Sequence, residues 1–299
     1  MTRVVCIGEC MVELAPAEAP LYRRGFAGDT FNTAWYLRRT LPASFAVDYV
    51  TCVGGDGVSD EMLGFIAGAG IGTGFVGRVP DRTVGLYLIS LRDGERSFTY
   101  WRSNSAARLL AADPGRLDAA LADAGLVLFS GITAAIVLPE HRPALFAALD
   151  RARAAGADVV FDPNIRPRLW ADPGESRAAL AAAAAISTTV LPSFDDEAGL
   201  FGDADPDATL ARYRRHGAAA IVVKNGPGEV VAWTEADGRV SYRPPAVQAT
   251  DTTAAGDSFN AGFLAARARG AALRDALAAG ASLAGHVVRH PGALVDPPA

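Results

Sequence analysis

Cysteine, long apolar runs and clusters of positive charge are all scarce in this chain. Its 299 residues include 3 cysteines, which form no C-x-x-C pair, and this favours a reducing compartment over a disulfide framework. No stretch reaches the ~18 apolar residues of a membrane span. The apolar opening at 4–7 meets Glu9 too early to be the core of a signal peptide. These absences predict a cytoplasmic protein that does not enter a membrane.

Basic residues are also too few and too dispersed for a polyanion-binding protein. Lys and Arg number 28 against 33 Asp and Glu, which gives a formal net charge of -5. Nucleic acids and anionic bilayers are bound through a positive surface. We therefore expect no nucleic-acid partner, and we expect any phosphate group to be held locally. The chain is 50% hydrophobic and contains 31 glycines, a composition typical of a well-buried enzyme with many turns.

Short apolar runs alternate with amphipathic, often alanine-rich segments along most of the chain. The runs predict strands at 4–8, 11–14, 47–53, 126–130, 159–162, 188–191 and 220–223. The amphipathic segments predict helices at 31–39, 59–66, 139–155, 175–185, 207–216, 256–269 and 273–289. This alternation predicts an α/β fold in which helices cover both faces of a parallel sheet, with ligands at the carboxyl ends of the strands.

Two hairpins interrupt the alternation. The β-rich runs 84–91 and 96–101 flank a turn at 92–95, a pattern typical of an antiparallel flap. A second hairpin is expected at 230–242, turning at Asp237 and Gly238. No repeat and no linker-like tract is present, so the flap is expected to belong to one structural unit covering 1–299.

The segment 251–259, Asp-Thr-Thr-Ala-Ala-Gly-Asp-Ser-Phe, carries the strongest chemical signal. Small side chains before a helix let backbone amides approach a phosphate, and the helix start favours the negative charge that phosphoryl transfer disperses. Asp257, in the expected first turn, either accepts the proton of an attacking hydroxyl or caps the helix. The spacing leaves both roles open. The helix start is expected to depress the pKa of this aspartate.

A second glycine-marked turn, at 25–32, places Asp29 and Asn32 in the first turn of another predicted helix. An amide that donates and accepts, beside a carboxylate that accepts, suits the hydroxyl groups of a polyol. Capping of the helix is the alternative role for Asp29.

These two motifs resemble the signatures of the ribokinase-like, or PfkB, carbohydrate kinases. The segment 251–259 resembles the C-terminal signature and 27–32 the N-terminal one, with Ala27 and Ala254 in place of the usual glycines. The branch of the family that acts on 2-keto-3-deoxygluconate is suggested by the segments 7–14, 24–26, 98–102, 164–170 and 251–257. The resemblance implies a ribokinase-like three-layer α/β/α sandwich with a mostly parallel central sheet. It also implies a small β-strand lid formed by segments 10–26 and 83–103.

The resemblance also implies a role for each residue of a site for ATP, Mg²⁺ and an acid sugar. Asp257 would be the base, with the amides of Ala255 and Gly256 in an anion hole. The residues expected to contact the sugar are Gly28, Asp29, Asn32, Tyr87, Tyr100, Arg102 and Arg166. Those expected on the nucleotide side are Asn164, Ser193, Lys224, Gly226, Gly228 and Ala254. The metal would be served by Asp196 or Glu197, which the sequence does not separate.

The two arginines have an independent chemical argument. A guanidinium holds a carboxylate through two parallel hydrogen bonds, so Arg102 and Arg166 suit an acid sugar, whereas a neutral sugar does not require them. A surface salt bridge is the alternative for both residues.

The activity expected from these features is ATP-dependent phosphorylation of 2-dehydro-3-deoxy-D-gluconate to its 6-phosphate. Two alternatives remain. The chain could be a kinase for fructose, 2-dehydro-3-deoxygalactonate or a nucleoside, or it could be a sugar-binding protein without catalysis on the same scaffold. The exposed edges of the flap predict pairing of subunits through the lid.

Overall fold

A computed structural model describes residues 3–18, 20–92 and 95–298, and its described strands form three sheets. The strands are β1 (Arg3–Ile7), β2 (Met11–Pro16), β3 (Tyr22–Ala27), β4 (Ala46–Val50), β5 (Cys52–Val53), β6 (Gly77–Arg78), β7 (Leu86–Arg92), β8 (Glu95–Trp101), β9 (Leu126–Ser130), β10 (Asp158–Asp162), β11 (Thr189–Val190), β12 (Ala220–Val223), β13 (Val230–Thr234) and β14 (Gly238–Tyr242). The helices are α1 (Asp29–Thr40), α2 (Gly57–Gly68), α3 (Pro114–Leu121), α4 (Gly131–Ile136), α5 (Arg142–Ala154), α6 (Pro173–Ala185), α7 (Phe194–Phe201), α8 (Pro206–Arg215), α9 (Ala255–Ala268) and α10 (Leu273–Val287).

The largest sheet has eight strands in the order β14-β13-β12-β11-β10-β9-β1-β4. The six strands from β12 to β4 pair in parallel, and β13 and β14 continue the sheet as an antiparallel hairpin. The parallel strands are short and Val-rich. Their residues are buried because helices cover both faces of the sheet. Their carboxyl ends therefore meet along one edge of the molecule.

Two apolar layers separate this sheet from the helices. On one face, side chains of α1, α9 and α10 pack in a cluster with strand residues such as Tyr49 and Val222. On the other face, helices α3, α5, α6 and α8 pack around Phe129 and Phe161, whose rings stack at 4.9 Å between centroids. The result is the expected three-layer α/β/α sandwich with a mostly parallel sheet.

The segments 10–26 and 83–103, which are predicted to form the lid, contribute the strands of a four-stranded sheet in the order β3-β2-β7-β8. Strands β2 and β7 pair in parallel, and the other two pairings are antiparallel. One face of the lid packs on the body: Met11, Tyr87 and Ile89 share an apolar cluster with Ala293 and Ala254. The lid thus lies against the loop that leads into α9.

Several predicted boundaries are wrong for identifiable physical reasons. The strand expected at 47–53 ends at Val50, and 52–53 pairs instead with β6 in a separate small sheet. Helix α2, expected from 59, begins at Gly57 because Asp56 caps it: its carboxylate accepts a hydrogen bond from the amide of Ser59 at 2.9 Å. Helices α3, α4 and α7 and strand β3 were not expected, because each is short and lacks a strong period.

The predicted flap hairpin is present as β7 and β8, which pair in register from Leu86 with Trp101 to Arg92 with Glu95. Two residues of the predicted turn, 93 and 94, lie outside the described residues. Within the described part of the chain, none of the helices has the length and hydropathy needed to cross a bilayer.

Candidate active site

Two helix starts and the ends of two strands converge at the carboxyl edge of the large sheet. Helix α1 begins at Asp29 and helix α9 at Ala255. Strand β10 ends at Asp162, and Lys224 directly follows β12. Hydrogen bonds described below join side chains from all four elements, so the two sequence motifs, more than 220 residues apart, form one site.

The loop before α9 has the shape that small residues permit. Ala254 adopts the left-handed region at φ 59°, which carries strain for any residue except glycine. Ala255 donates its amide to Thr252 O at 3.2 Å. The amides of Gly256 and Asp257 head the helix, where no earlier helical carbonyl accepts them. The Ala255 amide, which is predicted to line an anion hole, therefore already has a hydrogen-bond acceptor within this turn.

Asp257 is the third residue of α9 and is held by α1. Its Oδ2 accepts a hydrogen bond from Asn32 Nδ2 at 2.8 Å, and its backbone carbonyl accepts one from Thr33 Oγ1 at 3.3 Å. Burial, and next the negative charge of Asp29, raise the pKa of Asp257 to about 8. The expectation of a depressed pKa is wrong, because desolvation outweighs the favourable helix start.

The turn before α1 depends on the close approach of two backbones. A Cβ on Gly28 would lie 2.1 Å from the carbonyl oxygen of Glu9, which leaves no room for a side chain. Asn32 accepts the amide of Gly28 through Oδ1 at 3.3 Å while donating to Asp257. The same side chain thus connects the two motifs.

Asp29 does not cap α1. Gly28 is the N-cap, and no side chain caps this helix. Instead, Asp29 Oδ2 accepts a hydrogen bond from Asn164 Nδ2 at 2.9 Å. Asn164 follows β10 with a positive φ of 34° and donates its amide to Asp162 Oδ1 at 3.1 Å. Asn164, predicted on the nucleotide side, therefore lies beside the predicted sugar-side residue Asp29.

On the lid, one row of paired residues crosses all four strands. Gly25, Glu13, Tyr87 and Tyr100 are successive partners in register. The Tyr87 hydroxyl donates to Glu13 Oε2, and its ring lies 5.9 Å from that of Tyr100. Tyr87 is buried, whereas Tyr100 is 49% exposed. The two predicted lid tyrosines are therefore adjacent, and Glu13 is a partner that the sequence analysis missed.

Arg102 does not have a free guanidinium. Its Nη2 donates to Glu9 Oε2, and both side chains are almost fully buried. Glu9 Oε1 and Arg102 Nε have no hydrogen-bond partner among the residues that the structure describes. Gly85 makes room for this ion pair, since a Cβ there would lie 2.7 Å from Glu9 Oε1. Nothing in the sequence around Glu9 signals that it pairs with Arg102.

Arg166 lies after β10 with its side chain 49% exposed. Its Nη1 donates to Ile165 O at 2.8 Å and reaches Asp196 Oδ2 at 3.5 Å. Asp196 is in the first turn of α7. Burial raises the pKa of Asp196, and the charge of Arg166 opposes this shift. Arg166, after β10, and Asp196, at the start of α7, therefore face each other.

Glu197, the other acid considered for the metal, is turned away from this edge. It is fully buried, accepts a hydrogen bond from Tyr213 at 2.9 Å and forms an ion pair with Arg212 at 2.6 Å. Burial raises its pKa to about 7. The assignment of Glu197 to a metal is corrected: its carboxylate joins α7 to α8. Among the described residues, no group of three His, Cys, Asp or Glu side chains is arranged to hold a metal ion.

The predicted nucleotide-side residues after β12 occupy two environments. Gly226 is exposed in the left-handed region at φ 49°, and the Gly228 amide closes the turn on Asn225 O at 2.7 Å. Ser193 pairs with Lys224 across a parallel bridge and leads into α7. Lys224, by contrast, is 7% exposed and bonds to Asp162 and Asn260. The ammonium group of Lys224, which is expected on the nucleotide side, is therefore bonded inside the protein in this conformation.

Comparison with known proteins agrees with this architecture. The model of the pfkB family carbohydrate kinases matches residues 1–299. Two similar proteins are the 2-dehydro-3-deoxygluconokinases of Escherichia coli (strain K12), 36% identical over 98% of this chain and 97% of that protein, and of Haemophilus influenzae, 35% identical over 99% and 96%. The crystal structure of fructokinase with bound ATP from Xylella fastidiosa superposes with a TM-score of 0.85 at 25% identity, covering 97% of this chain and 93% of that one. The chain belongs to the pfkB family of carbohydrate kinases.

Proposed function

We propose that this protein transfers the γ-phosphoryl group of ATP to the terminal hydroxyl of 2-dehydro-3-deoxy-D-gluconate. The observation that carries the proposal is the carboxylate of Asp257, bound by Asn32 at 2.8 Å at the start of α9. The near full-length relatives that bear the name 2-dehydro-3-deoxygluconokinase support this choice of sugar. Arg166, whose side chain is half-exposed at the site, supports an acidic sugar.

In the proposed reaction, Asp257 accepts the proton of the sugar's terminal hydroxyl as its oxygen bonds to the γ-phosphorus. The bond from that phosphorus to the β,γ-bridging oxygen breaks, and the products are ADP and the 6-phosphate. The free amides of Gly256 and Asp257 stabilise the charge on the transferred group. With a pKa raised to about 8, Asp257 is a stronger base than an ordinary aspartate. Asn32 orients the carboxylate that receives the proton.

The lid would exclude water from this reaction. Tyr87 packs in the cluster that includes Ala254 of the loop before α9, and the half-exposed ring of Tyr100 lies 5.9 Å from the Tyr87 ring. An anion hole that is open to solvent would also accelerate ATP hydrolysis, so a covering sheet protects the phosphoryl group. We assign these two tyrosines to contact with the sugar.

Asp196 is the residue that we assign to Mg²⁺. Magnesium is bound through few protein carboxylates together with phosphate oxygens and water, which fits one partly buried carboxylate and the absence of an acidic cluster among the described residues. When bound, the ion neutralises phosphate charge. Asp196 would hold it with Arg166 beside it at 3.5 Å.

The pairing of subunits is the remaining part of the proposal. Phe98, Tyr100 and Trp101 on the edge strand β8 are exposed, and an edge strand with exposed aromatic residues favours association. We propose a homo-oligomer formed through the lid. Sedimentation velocity at several concentrations would give a larger species that dissociates on dilution, whereas a single monomer at all concentrations would contradict it.

The activity is tested by a coupled assay of ADP release across acid and neutral sugars. We expect turnover with 2-dehydro-3-deoxy-D-gluconate. Asp257→Asn removes the base, and we expect kcat to fall by ~10²–10⁴-fold, while sugar binding measured by calorimetry is retained. A protein that prefers fructose or a nucleoside would contradict the substrate, and near-normal turnover of Asp257→Asn would contradict the base.

Arg166→Gln tests recognition of the sugar's carboxylate. Loss of a charged hydrogen bond should raise the KM for the acid sugar by ~10–100-fold, with a change of about twofold or less in the KM for ATP. Arg168→Gln is the matched control, since Arg168 is an exposed arginine two residues later in the same loop. Equal effects of Arg166→Gln on both substrates would argue against the carboxylate contact.

Asp196→Asn and Glu197→Gln separate the two neighbouring acids. We expect Asp196→Asn to raise the Mg²⁺ concentration needed for half-maximal activity, because it removes the carboxylate that faces Arg166. Glu197→Gln should lower the melting temperature, because it weakens the buried pair with Arg212, and leave the Mg²⁺ requirement unchanged. The reverse pattern would assign the metal to Glu197.

A further inference from the structure

A closed triangle of buried polar side chains lies under the start of α9. Lys224 Nζ donates to Asp162 Oδ2 at 2.9 Å and to Asn260 Oδ1 at 3.0 Å. Asn260 Nδ2 donates to Asp162 Oδ2 at 2.6 Å. The exposed fraction of each of the three residues is 7% or less. This triangle therefore joins the end of β10, the end of β12 and helix α9 away from solvent.

Lys224 is unusual in the composition of this protein. It is the single lysine of the sequence, and the other 27 basic residues are arginines. An ammonium is a compact charge with rotatable donors, whereas a guanidinium is a planar fork. The triangle uses this difference, because one nitrogen atom donates to two acceptors on different elements within 3.0 Å. A guanidinium would need a larger cavity.

The triangle lies close to the proposed base. Asn260 is three residues after Asp257 on α9, and residues at this spacing are neighbours on a helix face, about 5–6 Å apart. Gly256 lies above the ammonium group: a Cβ there would be 3.7 Å from Lys224 Nζ. The positive charge of Lys224 is therefore next to the free amides at the helix start, without being exposed to a ligand.

We propose that the Asp162–Lys224–Asn260 triangle is a positioning device that holds the start of α9 and sets the basicity of Asp257 through the opposed charges of its lysine and aspartate. This role rests on the proposed function, in which Asp257 accepts the proton. The device also reaches the sugar side, because Asp162 Oδ1 accepts the amide of Asn164, which binds Asp29. Removal of one charge leaves the other uncompensated beside the base.

The charged and titratable groups that face Asp257 come from three elements besides its own. Helix α1 contributes Asp29 and Tyr36, the end of β10 contributes Asp162, and the end of β12 contributes Lys224. The negative charge of Asp162 raises the pKa of Asp257, and the positive charge of Lys224 lowers it. Neutralising Asp162 and neutralising Lys224 should therefore shift the pKa of Asp257 in opposite directions. A merely structural role of the triangle predicts no such difference in sign.

The single lysine provides the probe for the test. Protein labelled with ¹³C at the lysine ε-carbon gives one NMR signal, and this signal senses ionisation of nearby groups. In the protein without sugar or nucleotide, we expect a step with a midpoint at the pKa of Asp257, about 8. Asp257→Asn should abolish the step. Asp162→Asn, which keeps the shape of the side chain but removes its charge, should move the midpoint about half a pH unit or more toward acid.

Glu197→Gln is the matched control, because it neutralises another buried carboxylate of an ion pair, whose partners Arg212 and Tyr213 lie on α8 and not in the triangle. Its midpoint should equal that of the wild type. A step that persists in Asp257→Asn, an absent step in the wild type, or an unmoved or alkaline midpoint in Asp162→Asn would overturn the proposal. The same shift in Glu197→Gln would also overturn it. Since no substrate is used, this result is independent of whether the protein phosphorylates the acid sugar.

Lys224→Met should shift the pKa of Asp257 in the direction opposite to the shift caused by Asp162→Asn. Without the ammonium, the kcat/KM profile for the acid sugar should rise with a midpoint displaced toward alkaline pH, whereas the Asp162→Asn profile is displaced toward acid. Displacement of both profiles in the same direction would contradict the device. If Lys224→Met does not fold, the Asp162→Asn titration by NMR still decides the question.

Discussion

The hydrogen bond from Asn32 to Asp257 is the contact around which the site is organised. It joins the first turns of α1 and α9 and so brings two distant motifs to one edge of the sheet. The carboxylate that it holds is half-buried near Asp29 and Asp162, and desolvation together with these charges disfavours its charged form and raises its pKa to about 8. The fold thus keeps a carboxyl group in an unfavourable environment, which is the usual means by which a protein makes a strong base from a weak one.

The charges around this carboxylate are arranged in pairs that lie on different elements. Glu9, before β2, pairs with Arg102, after β8. Asp162 pairs with Lys224 under α9, and Asp196 faces Arg166 at the start of α7. Each basic group therefore has an acidic partner before any substrate arrives. The negative groups of an anionic sugar and of a nucleotide must compete with these carboxylates for the basic side chains, or share those side chains with them. This requirement favours substrates whose anionic groups reach the basic side chains. A net charge of -5 over the whole chain makes such local cations necessary.

The sequence allowed prediction of the three-layer fold, the lid and the two motifs that meet at the site, because strand and helix periods and small-residue loops are local signals. It did not reveal the partners of the predicted residues. Arg102 is paired with Glu9, and Lys224 is bonded to Asp162 and Asn260; these partners are distant along the chain, and no local pattern marks them. The choice between Asp196 and Glu197 depends on which side of α7 each carboxylate occupies: Asp196 faces Arg166, whereas Glu197 is buried against Arg212. The sign of the pKa shift at Asp257 needed its burial, which no pattern along the chain records.

Desolvation and the neighbouring carboxylates keep Asp257 protonated at pH values at which an ordinary aspartate is ionised. The most direct test of this protonation is the free energy of unfolding of the ligand-free protein and of Asp257→Asn between pH 5 and pH 8. The folded pKa of about 8 lies above the unfolded value near 3.8, so the native state retains a proton that the unfolded chain has lost. Stability of the wild type should therefore fall with rising pH more steeply than that of the variant, by ~1.4 kcal/mol per pH unit. Parallel curves for the two proteins would contradict the account.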